Sequence, residues 1–191
     1  LLRAVCETQD VPVGLIHFDA HTDTWDSQWG EDNHPGAPFR RALEEGLIDP
    51  KRVVPVGTRG AHHFPGGWDY SEQAGFTVLP MHDCERMSSD EIVAKIRAVV
   101  GDTPTYLTFD IDCIDPAFAP GTGTPECGGF SSREAIAMLR GLRGLSLVGA
   151  DVVEVSPPYD VGAPATGGGL TALAGATVLY EQLALLAALR Q

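Results

Sequence analysis

Five short apolar runs, each bounded by Gly, Pro or Asp, constrain this chain most: Val13 to Phe18, Val53 to Val56, Phe76 to Leu79, Tyr106 to Ile111 and Leu147 to Val155. All are partly β-branched and read as buried strands. Helical signals lie between them. Ser88 with Glu91 and Ser131 with Glu134 each form an S-x-x-E capping box. Ile92, Ile96 and Val99 follow the first at helical spacing, and Ala135, Leu139 and Leu142 the second. Pro38 to Gly46 reads as a shorter helix and Leu170 to Arg190 as a long final one. Strands alternating with helices predict an α/β fold, a three-layer arrangement with helices on both faces of a parallel sheet. At 191 residues, with no internal repeat, linker or low-complexity tract, the chain is expected to form one domain over 1–191.

In such sheets ligands bind beyond the carboxyl ends of the strands. The stretch HFDAHTDTWD leaves the first strand with Asp19, His21, Asp23 and Asp26; D-I-D, Asp110 and Asp112, ends the fourth; the loop PAFAPGTGTPECGGF follows it; Glu154 lies near the end of the fifth. Carboxylates gathered within a few ångströms repel one another unless a cation compensates them. D-x-H-x-D alone also suits a helix cap or a hydrogen-bonded turn. The second cluster favours a metal site, because alternate strand residues share a face and Asp110 and Asp112 are then expected to point together at the first. Asp19, His21, Asp23, Asp110 and Asp112 suffice for two ions sharing bridging carboxylates. An oxygen-rich set with one imidazole suits Mn²⁺. Two such ions generate a hydroxide nucleophile at neutral pH, so hydrolysis is the expected chemistry.

The formal charge of −13, with only 13 Lys plus Arg, argues against a nucleic-acid or anionic-membrane partner and for cationic ligands or metal ions. Cys6, Cys84, Cys113 and Cys127 contain no CxxC pair, and the first residues lack the pattern of a secretory signal, so a cytoplasmic location is expected. The apolar segment LTALAGATVLYEQLALLAALRQ is interrupted by Tyr180, Glu181 and Gln182. It is expected to be an amphipathic helix and not a membrane span.

GLIHFDAHTDTWD, TFDIDCIDPAFAPGTGTPECGGF and GADVVEVSPPYD resemble three signature regions of the ureohydrolases, the arginase and agmatinase family. The PGTGTPECGG loop is more similar to the agmatinase and guanidinobutyrase branch. The resemblance runs from about Val13 to the final helix and implies an arginase-like fold. It also implies manganese-dependent hydrolysis of a linear guanidino compound, agmatine or a guanidino acid, to urea and an amine. Asp19 and Asp110 match bridging carboxylates, Asp23 a ligand of the first manganese that also steadies the attacking hydroxide, and His21 and Asp112 ligands of the second. His34 matches a histidine that passes a proton to the leaving amine, and Glu154 a carboxylate that holds the guanidinium. A small cationic guanidino substrate and a homo-oligomeric assembly follow from the same likeness. Asp115 reads as a support behind the ligands and Cys113 as a packing residue. His62 and His63 read as a solvated turn; Trp25, Trp29 and Trp68 read as packing anchors or walls of the entrance.

The chain departs from the family in containing no GGDH segment, whose histidine completes the first metal site. The expectation is therefore a carboxyl-terminal portion, missing the amino-terminal strands, in which Leu147 to Val155 forms a sheet edge. Two rival readings stand beside hydrolysis. One is a non-catalytic relative that keeps the fold and part of the metal site. The other is a single-zinc deacetylase on a related fold, against which the two D-x-[HD] clusters and Asp23 count.

Overall fold

The computed structural model describes residues 1–61, 68–160 and 169–189. Five strands form one all-parallel sheet: β1 (Val13–Phe18), β2 (Ile48–Thr58), β3 (Leu79–Pro80), β4 (Thr105–Asp110) and β5 (Leu147–Val153), in the order β3-β2-β1-β4-β5. Every residue of β1 and β4, the inner pair, is buried. That is why their sequences read as unbroken apolar runs.

Alternation along the strands builds two cores. Ile16, Phe18, Val54, Val56, Leu107 and Phe109 face α5 (Ser89–Val100), α6 (Ser132–Gly141) and α7 (Leu170–Ala188). Val13, Leu15, Val53 and Tyr106 face a thinner layer that includes α1 (Leu2–Cys6) and α2 (Pro38–Glu44). Each fully buried Leu, Ile or Phe contributes about 1.5–3 kcal/mol, so the thicker layer dominates the stabilisation. Both capping boxes form: the hydroxyls of Ser88 and Ser131 accept from the main-chain N–H of Glu91 and Glu134.

Several elements differ from the sequence reading. β2 is 11 residues long instead of four, because it begins at Ile48 and the polar stretch Asp49 to Arg52 is taken up by a register shift opposite Val13 to Leu15. β3 is reduced to Leu79–Pro80, and Phe76 is buried outside it. The one-turn helices α3 (Asp69–Ala74) and α4 (Met81–Cys84), like α1, are too short to show periodicity. Helix α7 is not amphipathic in the expected sense. Leu173, Leu179, Tyr180 and Leu183 are exposed, whereas Glu181 and Gln182 are buried. Those inward polar groups are partly compensated: Arg140 pairs with Glu181 at 2.6 Å, and Gln182 Nε2 donates to the carbonyl of Asp151 at 2.7 Å, while Gln182 Oε1 has no partner among the described residues. By length and composition alone α7 is long and apolar enough to cross a membrane; here its inner side packs on β5 and α6. Arg190, the expected end of this helix, and His62 and His63 lie outside the described residues.

Candidate metal centre

Asp19 is the first residue beyond β1 and Asp110 the last of β4, and these two strands are neighbours in register, Phe18 opposite Phe109. The two acidic clusters are thus side by side at the carboxyl edge of the sheet. Asp110 and Asp112 do not converge by strand alternation. Residues Ile111–Cys113 turn into a single 3₁₀ turn, and the N–H of Asp112 donates to Asp110 Oδ1 at 2.9 Å. The turn brings Asp112 back over the first cluster: Ala20 N–H donates to its Oδ1 at 3.0 Å, and His21 Nδ1 lies 3.1 Å from its Oδ2.

Two groups of ligand atoms result, each with all members within 4.8 Å of one another: Asp19, His21 and Asp112; and His17, Asp19 and Asp23. Asp19 belongs to both. Its Oδ1 accepts from His21 N–H at 2.6 Å and faces His21 Nδ1 at 3.2 Å, while Oδ2 lies 2.6 Å from His17 Nε2. His17 was not singled out by sequence reading, although its spacing of two from Asp19 places both on one face of a strand. Asp26 takes no part; it is exposed and pairs with Arg40 and Arg41 at 3.2 Å each.

Burial raises the carboxyl pKa of Asp23 and of Asp110 well above the ordinary range, and the charge of Asp19 reinforces both shifts. Burial works against ionisation of Asp19 too, but the neighbouring His17 and His21 outweigh it and hold Asp19 below the usual range. His21 is pushed up to about 10: burial opposes its charge, and the hydrogen bonds to Asp112 and Asp19 overcome that opposition. A cation placed here would displace protons from His21, Asp23 and Asp110 and take over their compensating role.

Asp23, Asp110 and Glu154 line two cavities, of about 710 Å³ on the α1–α2 side and about 600 Å³ on the other. His34 borders the larger. Its Nδ1 accepts from Gly36 N–H at 3.2 Å, which assigns the neutral ring's proton to Nε2, and Nε2 has no partner among the described residues. Trp25 and Trp29 line the smaller cavity, Trp29 almost wholly exposed; Trp68 instead stacks on His82. Glu154 follows β5 with φ +61°, and Asp23 has φ +51°. Left-handed backbone at bulky residues costs free energy and concentrates at functional sites.

The loop after β4 forms a strap across this edge. The bridge Ile114–Phe130 closes it, and Asp115 accepts from Ala117, Gly128 and Gly129 N–H at 2.7–3.0 Å. Thr171 Oγ1 accepts from Gly121 N–H at 2.7 Å. Between these anchors, Thr124 Oγ1 lies 3.3 Å from Asp112 Oδ2. Cys113 is buried beneath the turn.

A parallel α/β sheet with two acidic clusters at its carboxyl edge agrees with what the comparisons find. The arginase family profile matches residues 1–184, and the chain belongs to that family. It is 52% identical over 177 residues to guanidinopropionase of Pseudomonas aeruginosa, covering 92% of this chain and 54% of that protein. It is 47% identical to mitochondrial agmatinase of Gallus gallus over 186 residues, 97% of this chain and 53% of that one. Among solved structures, a hypothetical agmatinase from Burkholderia thailandensis superposes with a TM-score of 0.85 at 45% identity, covering 97% of this chain and 55% of that one. The chain spans about half the length of the curated relatives it matches.

Proposed function

We propose that this chain carries the hydrolytic centre of a manganese-dependent ureohydrolase that cleaves a linear guanidino compound to urea and an amine. The observation that carries the reading is the sharing of the Asp19 carboxylate between two ligand groups, one oxygen toward each. The donor set fits the metal: carboxylate oxygens with imidazole nitrogen, crowded enough to need a cation. Asp19, His21, Asp23 and Asp112 would hold the ions, with Asp110, which lies outside the two compact groups but lines the same cavities as Asp23, as a further ligand. When bound, the ions supply Lewis acidity and make water nucleophilic at neutral pH.

The remaining steps belong to the chain's own side chains. Glu154, at the junction of both cavities, pairs with the planar guanidinium and orients its carbon toward the ligand carboxylates. His34 takes up a proton lost by the attacking water and passes one from Nε2 to the departing amine, returning to the neutral ring. Asp23 accepts a hydrogen bond from the attacking water and fixes its direction. The names of the relatives, guanidinopropionase and agmatinase, support the guanidino class, and the PGTGTPECGG loop supports agmatine or a guanidino acid over arginine. That Asp19, Asp23, Asp110, His34 and Glu154 line one cavity supports chemistry over a non-catalytic role.

The test is urea release with Mn²⁺ from agmatine, 4-guanidinobutyrate, 3-guanidinopropionate and arginine, for the parent and for Asp112→Ala. Linear guanidino substrates should exceed arginine, and Asp112→Ala should abolish turnover. Metal-independent release, or a preference for arginine, would refute the assignment.

A further inference from the structure

Arg59, one residue past β2, is 9% exposed and forms no ion pair among the described residues. Its guanidinium is instead spent on main-chain carbonyls. Nε donates to Glu126 and Cys127 at 3.2 Å each; Nη1 donates to Gly57 at 3.2 Å and Cys113 at 3.3 Å; Nη2 donates to Asp112 at 2.7 Å and Glu126 at 2.6 Å. Its own N–H donates to Ala20 at 2.8 Å. One residue thereby joins three separate pieces of the centre: the segment Asp19–His21, the turn bearing Asp112, and the strap that places Thr124 on Asp112 Oδ2. A buried cation is costly unless its donors are satisfied, and these carbonyls, fanned around a planar fork, satisfy them. Lysine has the charge without the fork.

We propose that Arg59 is the positioning residue of the metal centre: acting through the carbonyls of Asp112, Cys113, Glu126 and Cys127, it fixes the Asp112 carboxylate and the strap in the arrangement that takes up Mn²⁺. It ligates nothing itself. The proposal rests on the metal-centre reading above. Gly129 shows how closely Arg59 is seated, since a Cβ there would meet its Nη2 at 2.5 Å. The same Cβ would meet the main-chain N of Asp115 at 2.7 Å, so Gly129→Ala displaces the guanidinium together with the strap beside Asp115, without altering any charge. Arg97 provides a matched control. It too donates to carbonyls, those of Gly141 (2.9 and 3.2 Å) and Arg143 (2.5 Å), but between α5 and the end of α6, away from the centre.

The experiment is Mn²⁺ titration of the purified full chain by calorimetry and electron paramagnetic resonance, with thermal melts alongside, for the parent, Arg59→Lys, Gly129→Ala and Arg97→Lys. Groups that orient metal ligands from outside are typically worth 10–100-fold in affinity, so Arg59→Lys and Gly129→Ala should each weaken Mn²⁺ binding by about that factor. Arg97→Lys should lower the melting midpoint and leave Mn²⁺ affinity at the parent's value, which separates positioning from general stability. Parent-like affinity in a folded Arg59→Lys overturns the proposal, as does an equal loss in Arg97→Lys. If Arg59→Lys does not fold, parent-like affinity in a folded Gly129→Ala overturns the proposal in its place. A parent that binds no Mn²⁺ overturns the metal-centre reading and this inference together, whereas a binding parent with indifferent variants overturns this inference alone.

Discussion

The ring of His17 and the carboxylate of Asp19 meet at 2.6 Å, both side chains essentially without solvent exposure, and Phe39 packs on the other side of the imidazole at 4.4 Å between ring centroids. With His21 on the opposite oxygen, Asp19 is held from both ends before any ion arrives.

Removing that grip should weaken metal uptake. His17→Phe keeps ring volume and loses the nitrogen, and Mn²⁺ affinity should fall by about 10–100-fold. Calorimetric titration checks it; an unchanged isotherm would show that Asp19 is oriented by His21 alone.

The metal-free chain should lose stability as pH rises. The folded-state pKa of His21 is raised from 6.5 to about 10, so its contribution is complete below 6.5 and vanishes as pH climbs through 10. Asp23 and Asp110, also raised, act in the same sense, because the folded state holds their protons more firmly than the unfolded chain does. Urea melts in the presence of a chelator should show a midpoint falling between pH 6.5 and 10. Saturating Mn²⁺, having already displaced those protons, should flatten the dependence.

His34→Ala should slow turnover by about 10²–10⁴ with little change in KM, the signature of lost proton transfer. Steady-state urea formation measures it. A rate equal to the parent's would remove His34 from the mechanism.

Glu154 should show function and stability opposed. Its φ of +61° is a conformation glycine adopts without strain, so Glu154→Gly should keep or raise the melting midpoint while destroying guanidinium binding. Relief of strain of about 1–3 kcal/mol is partly offset by glycine's unfolded-state entropy, about 0.5–1 kcal/mol. Glu154→Gln, which retains the strain, should lose binding without that gain. A melting midpoint well below the parent's for Glu154→Gly would mean that the side chain stabilises the fold.

The edge of the sheet should promote association. Among the described residues β5 pairs with β4 alone, and Leu147–Val153 contains no Lys, Arg or Pro to discourage a further strand. Light scattering over a concentration series should show self-association, reduced by Val153→Lys at the exposed end of the strand. A monomer at every concentration would contradict this.

What the sequence determined was local. Buried strands are continuous apolar runs because both faces are covered, helix starts are written in S-x-x-E, and D-x-H-x-D stands out because charge at a strand end needs a reason. Each signal lies within a few residues, and the elements they mark are present, although the third strand keeps only Leu79 of its run. The extent of β2 and the turn that folds Asp112 over Asp19 were decided by pairing between distant segments. The inversion of α7 depended on Arg140 and the Asp151 carbonyl being near enough to pair with Glu181 and Gln182 Nε2, which no periodicity records. Arg59 is the extreme case: alone in sequence it is one basic residue before a glycine, and its role exists only because carbonyls 53 to 68 positions away converge on one fork. Backbone acceptors carry no residue identity, so a contact built from them leaves no mark in the sequence until the chain has folded.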